Sequence, residues 1–146
     1  PWARNERSAV AGLKTTSYAE NVVALAWAQA RGADEAVLAN TGGSLCEGTG
    51  TNVFVAVGGR LVTPPLASGC LAGVTRALVL ERSAAEEADL PLDALAGAEE
   101  AFLTSSTREV QPVATVDGQP LRRCPGPLTA AAQEAFRDLL ATDLDP

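Results

Sequence analysis

Apolar residues in this chain fall into short blocks separated by glycine, proline and hydroxyl clusters, and the spacing inside each block predicts its element. Ser17 and Glu20 stand three apart ahead of an Ala/Val/Leu/Trp run, the pattern of a capping box. Val22, Leu25, Ala26 and Ala30 then recur at helical spacing until Gly32, so a helix is predicted from about Ser17 to Gly32. Glu35–Ala39 is a short apolar run closed by Asn40-Thr41-Gly42-Gly43, which predicts a buried strand and a turn. Val53–Val57 and Arg60–Thr63 flank Gly58-Gly59, a two-residue hairpin signal, and Pro64-Pro65 end the second arm because proline cannot donate to a ladder. Behind the glycine-marked loop Ser68–Gly73, a helix is predicted from Val74 to about Ala88, and a second, short one over Pro91–Ala98. Ala101–Thr104 reads as a strand with three hydroxyls, Ser105-Ser106-Thr107, at its end. Val110–Val116 and Asp117-Gly118 predict a further hairpin carrying Leu121 and Arg122 on its return arm. A final helix from about Pro127 places Leu128, Ala132, Ala135, Phe136, Leu139 and Leu140 on one face. Hairpins mixed with helices give an α+β (mixed α/β) class, with an antiparallel-rich sheet or barrel and flanking helices.

Composition narrows the picture. At 146 residues and 47% hydrophobic the chain has one domain's length and enough apolar side chain for a core. A net charge of −7 argues against nucleic-acid and anionic-membrane surfaces, and no apolar stretch approaches the ~20 residues of a membrane span, so a cytoplasmic setting is expected. Cys46, Cys70 and Cys124 are odd in number and far apart, unlike a disulfide framework or a metal site, and read as core or loop residues. Residues 1–10 have no periodicity and read as a linker within a longer protein.

The candidate chemistry centres on Lys14. Of eleven Lys and Arg residues it is the single lysine, and histidine is absent. An ε-amine condenses with aldehydes whereas guanidinium does not, so amine chemistry is one reading; survival of one lysine in an arginine-biased composition is the other. A lysine bonded to an electron-sink aldehyde needs a carboxylate for the ring nitrogen and donors for a phosphate. Glu47, set among small residues, could supply the first, or be a solvated loop acid. The Gly73–Thr75 helix start and Ser106/Thr107 could supply the second, or be ordinary loop chemistry.

Gly12-Leu13-Lys14, Cys46-Glu47-Gly48-Thr49-Gly50-Thr51-Asn52-Val53-Phe54, Thr63-Pro64-Pro65, Leu71-Ala72-Gly73-Val74-Thr75-Arg76 and Glu109-Val110-Gln111-Pro112-Val113 occur in this order. Together they resemble the large domain of the class IV (fold type IV) pyridoxal-phosphate enzymes, which include branched-chain and D-amino-acid aminotransferases and aminodeoxychorismate lyases. The resemblance implies that Lys14 bonds pyridoxal 5′-phosphate and shuttles the substrate proton, and that Glu47 pairs with the pyridine nitrogen. It further implies a phosphate held by the N–H groups of Gly50, Thr51, Val74 and Thr75 and the Ser106 hydroxyl, with Thr107 beside it. Residues 11–146 would be the cofactor-binding large domain of a homodimer acting on a small amino substrate. Family members carry a smaller N-terminal domain, absent here, that closes the site and supplies an arginine.

One departure bears on the reaction. Branched-chain enzymes of this family place Gly-Gly-Asn-Tyr after the lysine, with tyrosine five positions on; here Tyr18 follows Lys14 by four. Tyr18 is therefore either a cofactor ligand or a helix-start aromatic. The short register resembles the lyases and D-amino-acid enzymes, so the resemblance implies first an aminodeoxychorismate lyase making 4-aminobenzoate and pyruvate. A class IV aminotransferase is the alternative, and a non-catalytic domain keeping the fold is a third reading.

Overall fold

The computed structural model describes residues 1–142. In chain order it contains β1 (Ala3–Arg4), α1 (Ala19–Gln29), β2 (Val37–Asn40), β3 (Leu45–Gly48), β4 (Asn52–Val57), β5 (Arg60–Thr63), α2 (Val74–Arg82), β6 (Glu86–Glu87), β7 (Ala101–Ser105), β8 (Glu109–Pro112), β9 (Thr115–Val116), β10 (Gln119–Pro120) and α3 (Pro127–Thr142). The main sheet has the order β6-β5-β4-β7-β8, antiparallel except where β6 lies parallel to β5. A second sheet runs β1-β2-β3, with β1 parallel to β2 and β3 antiparallel to it. This is the mixed α+β class expected, with antiparallel pairing dominant.

The main sheet is covered on both faces. Along β4, Val53 and Val55 pack with Leu45, Val62, Leu95, Ala101 and Leu103 on one side. Phe54 points to the other, against Leu78 and Val79 of α2 and Phe136 and Leu139 of α3. Alternate residues of a strand face opposite ways, so a strand buried on both sides loses its polar alternation, as Asn52–Ala56 shows. Phe54 and Phe102 sit opposite each other in the β4–β7 register and stack with centroids 4.8 Å apart. Glu100, 1% exposed, accepts the Leu128 and Thr129 N–H groups at 3.1 and 2.8 Å and so ties the start of α3 to the edge of β7.

The Gly58-Gly59 hairpin forms as predicted, with both glycines at positive φ. Other elements differ. The capping box does not form: α1 starts at Ala19 with Tyr18 at its N-cap and no side-chain cap, because a Tyr18 N–H to Thr16 carbonyl turn keeps Ser17 outside the helix. Its buried residues are Ala24 and Ala28, while Val22 and Val23 face outward. Asn21 fixes that rotation by donating to the Thr49 carbonyl at 2.6 Å. The helix predicted to Ala88 stops at Arg82, where the Ser83 hydroxyl bonds back to the Val79 carbonyl and takes the Ala85 N–H. Beyond it Glu87, drawn in by the Arg76 guanidinium, joins β6. Over 91–98 only a 3₁₀ turn, Leu92–Ala94, forms; so short a segment gains little by propagating a helix once Leu95 and Ala98 must both reach the core. Val110 pairs with Thr104 of β7, and the Asp117-Gly118 hairpin shrinks to the two-residue arms β9 and β10. Leu140 lies exposed on α3, beside the buried stripe of Ala132, Phe136 and Leu139.

Candidate functional site

Four chain segments meet at one cleft of about 520 Å³: the stretch leading into α1, the β3–β4 turn, the loop ahead of α2 and the β7–β8 turn. Lys14, Tyr18, Glu47, Gly50, Thr51, Val74, Thr75 and Ser106 all line it. Thr107 is not among the lining residues; it stands on the exposed β7–β8 turn with its hydroxyl 3.3 Å from Ser105 Oγ.

Lys14 reaches the cleft on an irregular segment that follows Gly12, which adopts φ 73°. That left-handed conformation is open to glycine at little cost, and it turns the chain back toward the mouth of the cleft. Lys14 Nζ lies 5.8 Å from the centroid of the Tyr18 ring.

Glu47 sits on β3, whose four residues are all buried. Its Oε1 is 3.0 Å from Arg4 Nε and its Oε2 accepts the Leu71 N–H at 2.9 Å. Burial pushes its carboxyl above the usual 4.5, opposed by the Leu71 N–H and the Arg4 guanidinium. A carboxylate held this way keeps a fixed orientation and readily shares a proton with a basic ring nitrogen.

The Gly48–Thr51 turn is closed by the Gly48 N–H to Thr51 carbonyl bond, and a Cβ at Gly48 would overlap the Thr51 hydroxyl. Among the described residues the Gly50 and Thr51 N–H groups donate to no protein acceptor. Opposite them α2 begins at Val74 with Gly73 at its N-cap and no side-chain cap, leaving the first-turn N–H groups free and the positive end of the helix dipole toward the cleft. Asn52 joins the two donor sets: its Nδ2 bonds the Leu71 carbonyl at 2.8 Å, and a Cβ at Gly73 would overlap its Oδ1. Two short backbone cradles thus face one space, an arrangement suited to a small anion such as a phosphate.

Arg4 and Asn21 were not anticipated as site residues. Arg4 Nη2 donates to Asn21 Oδ1 at 3.0 Å while its Nε pairs with Glu47, so one guanidinium couples α1, β3 and the glycine turn. Both contacts span long sequence separations and leave no local signal.

With this geometry established, comparison with known proteins places the chain. The family model for class IV amino-transferases matches residues 1–116. The chain belongs to the class IV aminotransferase family. It is 35% identical over 133 residues to the branched-chain-amino-acid aminotransferase of Pseudomonas aeruginosa, covering 86% of this chain and 42% of that protein. It is 36% identical over 137 residues to the D-alanine aminotransferase of Bacillus licheniformis, covering 90% of this chain and 48% of that one. In structure it matches the holo, pyridoxal-phosphate form of the branched-chain amino acid aminotransferase of Thermobaculum terrenum with a TM-score of 0.89 at 31% identity, over 95% of this chain and 48% of that one. A Legionella pneumophila protein provisionally named a 4-amino-4-deoxychorismate lyase superposes with a TM-score of 0.88 at 26% identity, over 94% of this chain and 53% of that one. The chain spans about half the length of the curated relatives it matches. Among the described residues no helix is long and apolar enough to cross a membrane.

Proposed function

We propose that residues 11–146 are the pyridoxal 5′-phosphate-binding large domain of a class IV amino-acid aminotransferase, a homodimer of the cytoplasm, with residues 1–10 leading in from a smaller domain. The observation that carries this reading is the single cleft shared by the one lysine, a buried carboxylate and two sets of unpaired backbone N–H groups. The donor set suits the cofactor. The Gly50, Thr51, Val74 and Thr75 N–H groups and the Ser106 hydroxyl match a phosphate dianion, reinforced by the α2 dipole. The Glu47 carboxylate matches a protonated pyridine nitrogen, and Lys14 Nζ an aldehyde carbon.

Bound pyridoxal phosphate supplies the electron sink for charge that develops at the substrate α-carbon. The chain's own residues do the rest. Lys14 would hold the cofactor through Nζ, and the same amine, when free, would carry the substrate α-proton. Glu47, oriented by Arg4 and the Leu71 N–H, keeps the ring nitrogen protonated. The Tyr18 ring borders Nζ and limits the positions it visits. Thr107, outside the lining, supports the turn that presents Ser106.

Transamination is favoured over the lyase reaction that the sequence put first, because the relatives of highest identity named above are aminotransferases. Aminodeoxychorismate lyase remains the second reading on one observation, the four-residue step from Lys14 to Tyr18. The two differ in where nitrogen ends. Given an amino acid alone, the full-length aminotransferase forms one equivalent of 2-oxo acid per site and resumes only when 2-oxoglutarate is added. Repeated conversion of aminodeoxychorismate to 4-aminobenzoate and pyruvate without any 2-oxo acid would establish the lyase instead.

A further inference from the structure

The Gly48–Thr51 turn has a carboxylate behind it that the proposed reaction does not use. Glu35 has a side chain only 8% exposed and reaches under the turn from the segment that precedes β2. Its Oε1 accepts the Thr49 N–H at 3.0 Å, the Thr49 hydroxyl, and the N–H of its neighbour Ala36 at 3.0 Å. Its Oε2 accepts the Thr51 hydroxyl at 3.3 Å and lies 3.4 Å from Arg108 Nη1. Both donors of Thr49 and the hydroxyl of Thr51 are thereby committed away from the cleft, and the Gly50 and Thr51 N–H groups are what the turn has left to offer. Arg108 in turn donates its backbone N–H to Ser105 Oγ at 3.1 Å, which shapes the β7–β8 turn carrying Ser106. One carboxylate therefore fastens together two cleft-lining segments, the glycine turn and the serine turn.

We propose that Glu35, clasped by Arg108, is a positioning residue for the anion seat: it selects which donors of the 48–51 turn face the cleft and sets their separation from Ser106. This rests on the phosphate-binding reading given above. It also makes a prediction whose sign is informative. By charge alone, a carboxylate behind an anion seat repels the anion, and removing it should tighten binding. By positioning, removing it frees the Thr49 and Thr51 hydroxyls, leaves Thr49 N–H with the Ala36 carbonyl alone and Arg108 without its acceptor, and loosens the seat. The clasp commits the guanidinium to the same carboxylate, so positioning outweighs repulsion.

The test uses the full-length protein and compares pyridoxal 5′-phosphate with pyridoxal, which lacks the phosphate, by the absorbance change on binding, with inorganic phosphate as competitor. Glu35→Gln keeps the side-chain shape but offers one acceptor oxygen in place of two. It should weaken pyridoxal phosphate binding by at least about tenfold, the scale of one lost charged hydrogen bond, and weaken inorganic phosphate as competitor, while changing pyridoxal by less than about twofold. Arg108→Gln leaves the bonds to Thr49 and Thr51 in place and should give the same selectivity with a smaller loss, about threefold; it decides the matter if Glu35→Gln does not fold. Equal losses for both ligands indicate a general structural role and overturn the proposal, as do unchanged or tighter pyridoxal phosphate binding. If the wild-type protein binds no pyridoxal phosphate, the functional reading fails and this inference with it; if it binds and the variants behave as wild type, only the inference fails.

Discussion

Replacing Glu47 by glutamine separates the electrostatic role of this residue from its structural one. The carboxylate is ion-paired with Arg4, whose Nε lies 3.0 Å away, and accepts the Leu71 N–H at 2.9 Å. An amide has one acceptor oxygen, so its NH₂ must face one of them and a bond is lost. The Glu47 side chain is only 11% exposed, so that loss costs about 1.5–3 kcal/mol of stability with little relief from water. The catalytic cost is larger. A neutral amide cannot balance a protonated ring nitrogen, and removing one preorganised electrostatic partner of this kind lowers kcat by about 10²–10³. Phosphate contacts and Lys14 are untouched, so cofactor should still bind. Arg4→Gln is the internal control: it removes the same ion pair and weakens the fold comparably but leaves the carboxylate, so its loss of turnover should be the smaller. The assay is transamination by the full-length protein at saturating cofactor, with urea unfolding of each variant alongside. Glu47→Gln turning over within about twofold of wild type, or the Arg4 variant proving the more damaged, would refute the assigned role.

Three further outcomes follow from the same geometry. Lys14→Ala should abolish borohydride-fixable cofactor, since these 146 residues hold no second lysine, and leave the melting midpoint unmoved because the side chain is exposed; label at any other residue contradicts the assignment. The Glu47 carboxyl sits above 4.5 through burial, so below that value the folded and unfolded protein both hold its proton and its contribution to stability is complete, whereas it is lost as pH rises through the folded value. The unfolding free energy of wild-type apoprotein minus that of Glu47→Gln should therefore fall as pH rises above 4.5, and a difference that grows with pH would be the wrong sign. Glu100→Ala strands the Leu128 and Thr129 N–H groups in a buried site and should cost about 3–6 kcal/mol by urea denaturation; a loss under about 1 kcal/mol would mean that α3 does not depend on this cap.

What could be read from the sequence divides by range. The Gly58-Gly59 hairpin, the start of α2 behind a glycine loop and the start of α3 at Pro127 are decided by neighbouring residues, and each lies where local pattern puts it. β3 left no strand signal because Leu45–Gly48 is buried on both faces and ends in glycine, giving neither alternation nor a β-branched run. The buried face of α1 is not legible in the sequence, because hydrophobicity points to Val22 and Leu25 whereas the polar bond from Asn21 to a carbonyl 28 residues away sets its rotation. Lys14, Glu47 and the glycine turn stood out as motifs. Their partners did not: Arg4 lay in a stretch read as linker, and Glu35 meets Arg108 across a separation of 73 residues. Residue types show locally; who holds them in place is a property of the folded chain.

That division bears on how the cleft chooses an anion. Arg4 is committed to Glu47 and Asn21, and Arg108 to Glu35, so the arginines near the cleft are neutralised where they stand. Lys14, by contrast, has no carboxylate partner among the described residues, and its amine is left for chemistry. In the proposed phosphate seat an anion would be met by backbone N–H groups and a helix dipole, and among the described residues no unpaired guanidinium lines it. A guanidinium on a flexible side chain follows its ligand and tolerates many anions, whereas N–H groups fixed in a turn and a helix start accept a ligand only where their directions converge. Selectivity then resides in the separation between the 48–51 turn and the first turn of α2, which Asn52 spans through its bond to the Leu71 carbonyl. A substitution that moves either segment should change which anion binds before it changes whether the chain folds.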